Sequence, residues 1–591
     1  MSARPVRPLY FGPAERTLFG WLHPAADNAR NIGIVLCSPS GYEAICTHRS
    51  YRRFAEAAAA RGFPALRFDY DGTGDSAGRG LDADRVGHWL SSITTAIDTL
   101  KAQTGVERVC VFGIRVGASL AAKAVQGRTD IHSMIAFAPL VKVNSYLREI
   151  RALAMSGDQE PPPPELKIDP ELQEAAGFAT TPETRKALAA IDLMTFDAAP
   201  AAHVLVLERD DLTPGDAWPK RLTTLGAAVE QRQLVGYVDM MRDAHASKVP
   251  AQSIDNALDW LTARDGVAAG PAARPAGTGD AGAAFTEGSS TVRETAAFLD
   301  DERILFGIVS EPSNPGQPVR DVVVLLNSGT IHHVGPSRLY VAIARRCAAR
   351  GIGVLRIDLS GVGDSGVRSG EVENAPYADS ARLDVRQAVE FAQRRFPGAK
   401  VHLVGLCSGA YHGLKAAAAG SALHSVVVVN PLTFFWKPGM PLDYADFKVT
   451  SESIRYARSA ATLTSWLKLL RGQVDVRAAA TVFWKRLNAI ARNSLRDVAR
   501  RIGIGLDDDL ASELLRIARQ RTDMYFVFSA SDPGHAMLCE QGGSIVRKLE
   551  RRDQLRISIV QGADHTFTAH WNRDQLVALL MAHLDRHAAS P

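Results

Sequence analysis

Gly405-Leu406-Cys407-Ser408-Gly409 sets a cysteine where a nucleophile would stand. The five residues follow the apolar run Val401-His402-Leu403-Val404 and precede a small, helix-prone stretch from Ala410, so the pattern reads strand, tight turn, helix start. In this G-x-C-x-G elbow the glycines are required because the turn brings strand and helix so close that a Cβ would collide. Such a turn lifts the Cys407 sulfur into a cleft, where the helix N-terminus favours a thiolate and a developing oxyanion. Ser408 is the competing nucleophile. Its place after the central residue favours Cys407 and leaves Ser408 to give a backbone N–H to the oxyanion hole.

A thiol needs a base to take its proton and return it to the leaving group, and the base needs a carboxylate to hold its tautomer. Downstream of the elbow, Met524–Phe528 reads as a strand, with Asp532 in the loop that leaves it. Ile557–Val560 reads as the next strand, with His565 between it and the last helix. Cys407, Asp532 and His565 thus form a candidate triad, with Asp523 and Asp564 as competitors for the acid. Asn327-Ser328-Gly329-Thr330 follows an earlier strand, and Gly329 and Thr330 are candidates for the second oxyanion donor. His332, His333, His402 and His412 are read as structural.

The elements that must hold these residues are written twice. Arg61-Gly62-Phe63-Pro64-Ala65-Leu66-Arg67-Phe68-Asp69 with Gly72-Thr73-Gly74-Asp75-Ser76 recurs 289 residues later as Arg350-Gly351-Ile352-Gly353-Val354-Leu355-Arg356-Ile357-Asp358 with Gly361-Val362-Gly363-Asp364-Ser365. Gly113-Ile114-Arg115-Val116-Gly117 matches the cysteine elbow at an offset of 292, as Pro139-Leu140 matches Pro431-Leu432. The G-x-G-D-S segments lack a Walker lysine and a third Rossmann glycine, and read as tight turns. Within a copy, strand-like runs alternate with amphipathic ones: Ile32–Cys37, Tyr51–Arg61, Ala65–Phe68, Trp89–Gln103, Val109–Phe112. This βαβαβ order implies a mostly parallel sheet with helices on both faces and ligands at the carboxyl ends of its strands.

The repeat predicts a first domain over 1–264, an Ala/Gly/Pro-rich linker over 265–290 and a second domain over 291–591. The copies diverge after Pro139 and Pro431, so cap insertions are expected at about 141–200 and 434–521. In the first copy Asp211 and His245 answer Asp532 and His565, but Arg115 holds the nucleophile position. A guanidinium has donors only and cannot attack a carbonyl. Arg115 is expected either to pair with Asp211 and close a silent cleft or to bind an anion, and catalysis is assigned to the second copy.

With 591 residues, 46% hydrophobic and 22% charged, the chain has the composition of a multidomain globular protein. Its six cysteines form no C-x-x-C pair, no apolar run reaches a membrane span, and the N-terminus has no apolar leader; a cytoplasmic protein with no nucleic-acid partner, metal or cofactor is expected. The net charge of +4 is uneven. Lys448 to Arg501 carries twelve basic residues against three acidic ones, alongside Trp466, Leu470 and Trp484 at helical spacing. That stretch reads either as a solvated helical face or as a cationic surface for an acyl group on an acidic carrier protein or coenzyme A, with the three apolar residues lining an acyl channel.

On these motifs both halves resemble α/β-hydrolases of the serine-aminopeptidase-like type. Gly405 to Ala410 is similar to the cysteine elbow of one of the paired hydrolases encoded with exosortase and exopolysaccharide systems. Gly113 to Ala118 and Asp239 to His245 are similar to the other, so the chain resembles the two fused. A cysteine elbow is also shared with dienelactone hydrolases and polyhydroxyalkanoate synthases. The resemblance implies an α/β fold of two tandem α/β-hydrolase domains, each with a cap. The residues leave three functions open: hydrolysis of an ester or thioester through an acyl-cysteine, acyl transfer to another acceptor, and a non-catalytic binding or scaffold role.

Overall fold

The structure is a computed structural model that describes residues 5–25, 29–156, 169–265, 281–313, 318–440, 442 and 508–588. The first copy's strands are β1 (Arg7–Phe11), β2 (Leu18–His23), β3 (Ile32–Cys37), β4 (Ala65–Phe68), β5 (Arg108–Ile114), β6 (Ile131–Phe137), β7 (Gln173–Ala175), β8 (Phe178–Thr180), β9 (His203–Arg209) and β10 (Ala228–Leu234). Eight of them form one sheet in the order β1-β2-β4-β3-β5-β6-β9-β10, antiparallel at β1 and β2 and parallel beyond. Successive side chains of a strand point to opposite faces, and both faces of this sheet are apolar. Ile32, Ile34 and Leu36 of β3 share one face with Cys110, Phe112 and Ile114 of β5, where Phe54, Ala58, Leu258 and Leu261 from helices Tyr42–Ala60 and Ala251–Asp265 cover them. Val35, Val109 and Val111 share the other with Ile93, Ile97 and Leu120 of helices Arg85–Thr104 and Val116–Ala124. Between β6 and β9 stand helix Val143–Ser156, the β7–β8 hairpin and helix Pro182–Ala189, within the stretch expected to form a cap.

The second copy's strands are β11 (Gly282–Glu287), β12 (Ser290–Phe298), β13 (Phe306–Pro312), β14 (Asp321–Leu326), β15 (Gly353–Asp358), β16 (Lys400–Leu406), β17 (Ser425–Val429), β18 (Asp523–Ser529) and β19 (Leu555–Val560). By compactness the chain divides into a first unit, Met1–Pro318 with Thr330–Ala375 and Thr568–Val577, and a second, Val319–Gly329 with Pro376–Phe567 and Ala578–Pro591. The first unit holds an antiparallel ladder β11-β12-β13-β15 beside the first sheet's strands. The second unit holds five parallel strands in the order β14-β16-β17-β18-β19. Helices Ala381–Arg395, Ser408–Ala418, Leu510–Arg519 and Gly534–Glu550 pack on those five strands.

This division differs from the repeat boundary in two respects. Gly282–Glu287 is a strand rather than linker, because Phe285 is buried in a cluster with Tyr10, Phe19, Trp21 and Phe306. Segments 281–313, 318 and 330–375 of the second copy belong to the first compact unit. A buried charge network accounts for that. Asp75, in the first copy's G-x-G-D-S turn, bonds the Arg356 guanidinium and His333 Nε2, the latter at 2.7 Å. His333 Nδ1 lies 2.7 Å from Asp358, and Glu294 accepts from Arg345 at 2.8 Å, Arg356 at 3.2 Å and Ser310 at 2.8 Å. Burial pushes His333 down, but Asp358 and Asp75 outweigh it and raise its pKa to about 10. The turns themselves are closed locally: Asp75 N–H donates to Asp69 and Asp364 N–H to Asp358, both at 2.9 Å.

Removing one member of such a set leaves the others buried and uncompensated. Asp75→Asn is expected to destabilise the protein by about 3–5 kcal/mol, read as a lower urea midpoint; an unchanged midpoint would contradict the role given to this network.

Candidate active site

Cys407 sits between β16 and helix Ser408–Ala418 with φ 59° and ψ −118°, a region non-glycine residues rarely occupy. Its N–H donates to Val429 O at 3.0 Å across the sheet. The flanking glycines are there for room: a Cβ on Gly405 would lie 2.1 Å from Gly409 C, and one on Gly409 would lie 2.6 Å from Asn327 O. The first copy builds the same turn on Arg115, with φ 54°, ψ −124° and its N–H on Phe137 O at 2.9 Å. A Cβ on Gly113 or Gly117 would likewise meet backbone atoms at 2.5 and 2.3 Å.

The loops after β18 and β19 bring Asp532 and His565 together, and both are buried. His565 Nδ1 lies 2.6 Å from Asp532 Oδ2, while Asp532 Oδ1 accepts Gly534 N–H at 2.7 Å. Burial alone would lower the His565 pKa. The charge of Cys407, then that of Asp532, with the hydrogen bond to Asp532, raises it instead to about 10. His565 and Asp532 therefore form a hydrogen-bonded pair in the second unit, close enough to Cys407 for its charge to act on the imidazole. Asp523 is engaged elsewhere, with Arg556 at 2.7 Å and His587 at 2.9 Å. The described bond of Asp564 to this region is through its backbone oxygen, which accepts from Asn430 at 3.5 Å.

Asn430, at the end of β17, is a residue the sequence reading passed over. It is fully buried, its Oδ1 accepts Ser529 N–H at 2.9 Å, and its Nδ2 donates to His565 O at 2.8 Å and Ser529 Oγ at 3.1 Å. One amide thus ties the strand that leads to Asp532 to the loop that carries His565. Its backbone lies at φ 41° and the first copy's counterpart, Ala138, at φ 46°. The signal was an asparagine in the left-handed region at a strand end just before Pro431, where the first copy has alanine.

The oxyanion candidates divide. Ser408 opens its helix, so its N–H has no intrahelical acceptor. Gly329 N–H instead donates to Ser408 Oγ at 2.9 Å, which departs from the role expected of it. Thr330 belongs to the other compact unit. Trp466, Leu470 and Trp484, and the whole basic stretch from Lys448 to Arg501, lie outside the described residues.

The first copy's counterparts are differently employed. Arg115 bonds Glu43 at 3.0 Å and also pairs with Glu149, rather than with Asp211, one of the two partners expected of it. Asp211 is held by Arg209 at 2.6 Å. Asn374 Nδ2 donates to the His245 backbone oxygen at 3.2 Å. Two carboxylates neutralise Arg115, so an anion would have to displace one. A cavity of about 300 Å³ in the first unit lies beside Ser38, Tyr70, Trp89 and Phe178 and does not include Arg115. Charges along it are paired, Arg67 with Asp364 at 2.6 Å and Arg85 with Asp71.

His333 with Asp358 and Asp364, and Asp523 with His583 and His587, are spaced closely enough to hold a cation. Both nitrogens of His333 are hydrogen-bonded to carboxylates, and Asp523 bonds Arg556 and His587, so these donors serve the fold. His402 bonds Ser425 and Asp321, and His412 bonds Pro376 O at 2.9 Å. No helix among the described residues is long and apolar enough to cross a membrane.

The sequence model of the family described as serine aminopeptidase, S33, matches residues 43–205 and 317–478, together more than half of the chain. No curated protein matches. Among solved structures, a hydrolase from Agrobacterium vitis is similar at 18% identity over 44% of this chain and 99% of its own, with a TM-score of 0.29. Est1E from Butyrivibrio proteoclasticus, with ferulic acid bound, is 17% identical over 43% of this chain and 98% of its own, TM-score 0.33. A Pyrococcus furiosus esterase is 14% identical over 44% and 92%, TM-score 0.32.

Asn430→Ala removes the amide's bonds to Ser529 N–H and His565 O, at a cost of about 1–3 kcal/mol. The second unit should unfold at correspondingly lower urea when followed by hydrogen exchange of β18. Unaltered protection there would show that the two loops hold their places without the amide.

Proposed function

Because the chain belongs to the serine aminopeptidase S33 family of α/β-hydrolases, we propose that its second copy cleaves an ester or thioester through an acyl group carried on Cys407. The observation that carries this reading is the pairing of His565 Nδ1 with Asp532 Oδ2 at 2.6 Å, in the loops after β18 and β19, in the same unit as the strained turn that presents Cys407. In the first half-reaction the thiolate attacks the acyl carbon, an S–C bond forms, and the carbonyl pair moves to oxygen. Its return expels the alkoxide or thiolate of the leaving group, which takes the proton from the His565 imidazolium. Acylation removes the thiolate charge, so the His565 pKa falls and the neutral imidazole can take a proton from water. The hydroxide so formed releases the acid and restores the thiolate.

Cysteine supports a thioester over an oxygen ester, because the attacking and leaving sulfurs are of matched energy and exchange without a large thermodynamic step. It also supports the second reading, in which the acyl group passes to an acceptor other than water. The excess of basic residues from Lys448 to Arg501 supports an anionic donor, a coenzyme or carrier-protein thioester. A free thiol at Cys407 suits a reducing, cytoplasmic compartment. The first copy, with Arg115 neutralised by Glu43 and Glu149, supports a non-catalytic role in the same chain.

The test compares kcat/KM for an acyl thioester and the matched oxygen ester in the full chain and in Cys407→Ala. Loss of about 10⁴-fold or more in the variant, with the thioester preferred in wild type, is expected. Turnover that survives the substitution would contradict the reading.

A further inference from the structure

Tyr377 places a phenol against the turn that carries Cys407. Its ring stacks on Trp436 with centroids 4.3 Å apart and planes 9° from parallel, and meets Tyr411 edge-on at 5.2 Å. Tyr411 lies one turn beyond the elbow, its N–H on Cys407 O at 3.3 Å, and the neighbouring His412 bonds Pro376 O at 2.9 Å. These contacts pin the Tyr377 ring over the first turn of helix Ser408–Ala418. The residue is 9% exposed and its hydroxyl is buried with no hydrogen-bond partner among the described residues.

A buried hydroxyl left unpaired costs about 1–3 kcal/mol, so a partner that arrives with the reaction is the economical explanation. The site needs such a donor. Ser408 N–H has no intrahelical acceptor, but of the two candidates for the second donor Gly329 N–H is engaged by Ser408 Oγ and Thr330 belongs to the first unit. Burial first, and then the charge of Cys407, push the Tyr377 pKa well above its usual value, so the phenol keeps its proton and remains a donor.

We propose that the Tyr377 hydroxyl is the second oxyanion donor of the Cys407 site. The assignment rests on the reading of Cys407 as nucleophile. When the S–C bond forms and the carbonyl pair moves to oxygen, that oxygen accepts hydrogen bonds from Ser408 N–H and Tyr377 Oη–H. No proton changes hands there, and the pair returns as the leaving group departs with the proton of His565.

Tyr377→Phe keeps the ring and its stacking on Trp436 and removes the donor. The experiment measures, in the full chain, single-turnover acylation by phenyl thioacetate and alkylation by iodoacetamide, which attacks the same sulfur without forming an oxyanion. Expected are a fall of about 10²–10³-fold in the acylation rate constant, unchanged substrate affinity, and iodoacetamide alkylation unaltered in rate and pH profile. The alkylation rate also reports that the variant is folded. Acylation of Cys407 at the wild-type rate overturns the assignment of Tyr377 and leaves the nucleophile standing. Parallel losses in acylation and alkylation overturn it too, since they assign Tyr377 to the thiolate. Absence of any acyl adduct on Cys407 in wild type overturns the reading on which the proposal rests.

Discussion

The backbone turn at Cys407 is the constraint on which the candidate site depends. A residue at φ 59° and ψ −118° costs about 1–3 kcal/mol, and the turn persists because the sheet holds it from one side and the helix from the other. Gly405 and Gly409 permit that closeness, and β14, which enters the sheet beside β16, supplies the carbonyl that Gly409 approaches. The turn fixes where the sulfur can be, and the loops after β18 and β19 are placed relative to it by the parallel register of β16, β17, β18 and β19. Asn430 then removes the remaining slack by joining those two loops through one side chain.

The same turn exists in the first copy with Arg115 in place of the cysteine. Arg115 has the backbone of a nucleophile, the same N–H bond to the next strand and the same glycine contacts. Its side chain lies between Glu43 and Glu149, and Ala138 stands where the second copy has the Asn430 clamp. In both copies the turn is where strand and helix meet, with the flanking glycines against backbone. The first copy's G-x-G-D-S turn contributes to stability instead, because Asp75 anchors the buried Arg356 and His333.

The fold class, the turn at Cys407 and the meeting of Asp532 with His565 were legible because they depend on local patterns: apolar runs, paired glycines and the position of each loop after its strand. What the sequence hid depends on partners distant along the chain. Asn430 acts on residues 99 and 135 positions away, and Gly329 meets Ser408 across 79. Arg115 finds Glu43 and Glu149 rather than Asp211, a choice set by helix placement that no spacing encodes. The strand Gly282–Glu287 was hidden by average composition, in which small residues obscured the single buried Phe285 that orders it. Tyr377, in a loop with no periodicity, had no pattern to mark it.

The central claim is that the reactive sulfur is the covalent carrier of the acyl group. The most direct measurement is the intact mass of the full chain after brief exposure to thiol-directed and serine-directed acyl probes, followed by peptide mapping of the adduct. The account predicts one acyl group per chain, on the peptide containing Cys407. An adduct on Ser408, or on any residue of the first copy, would contradict it.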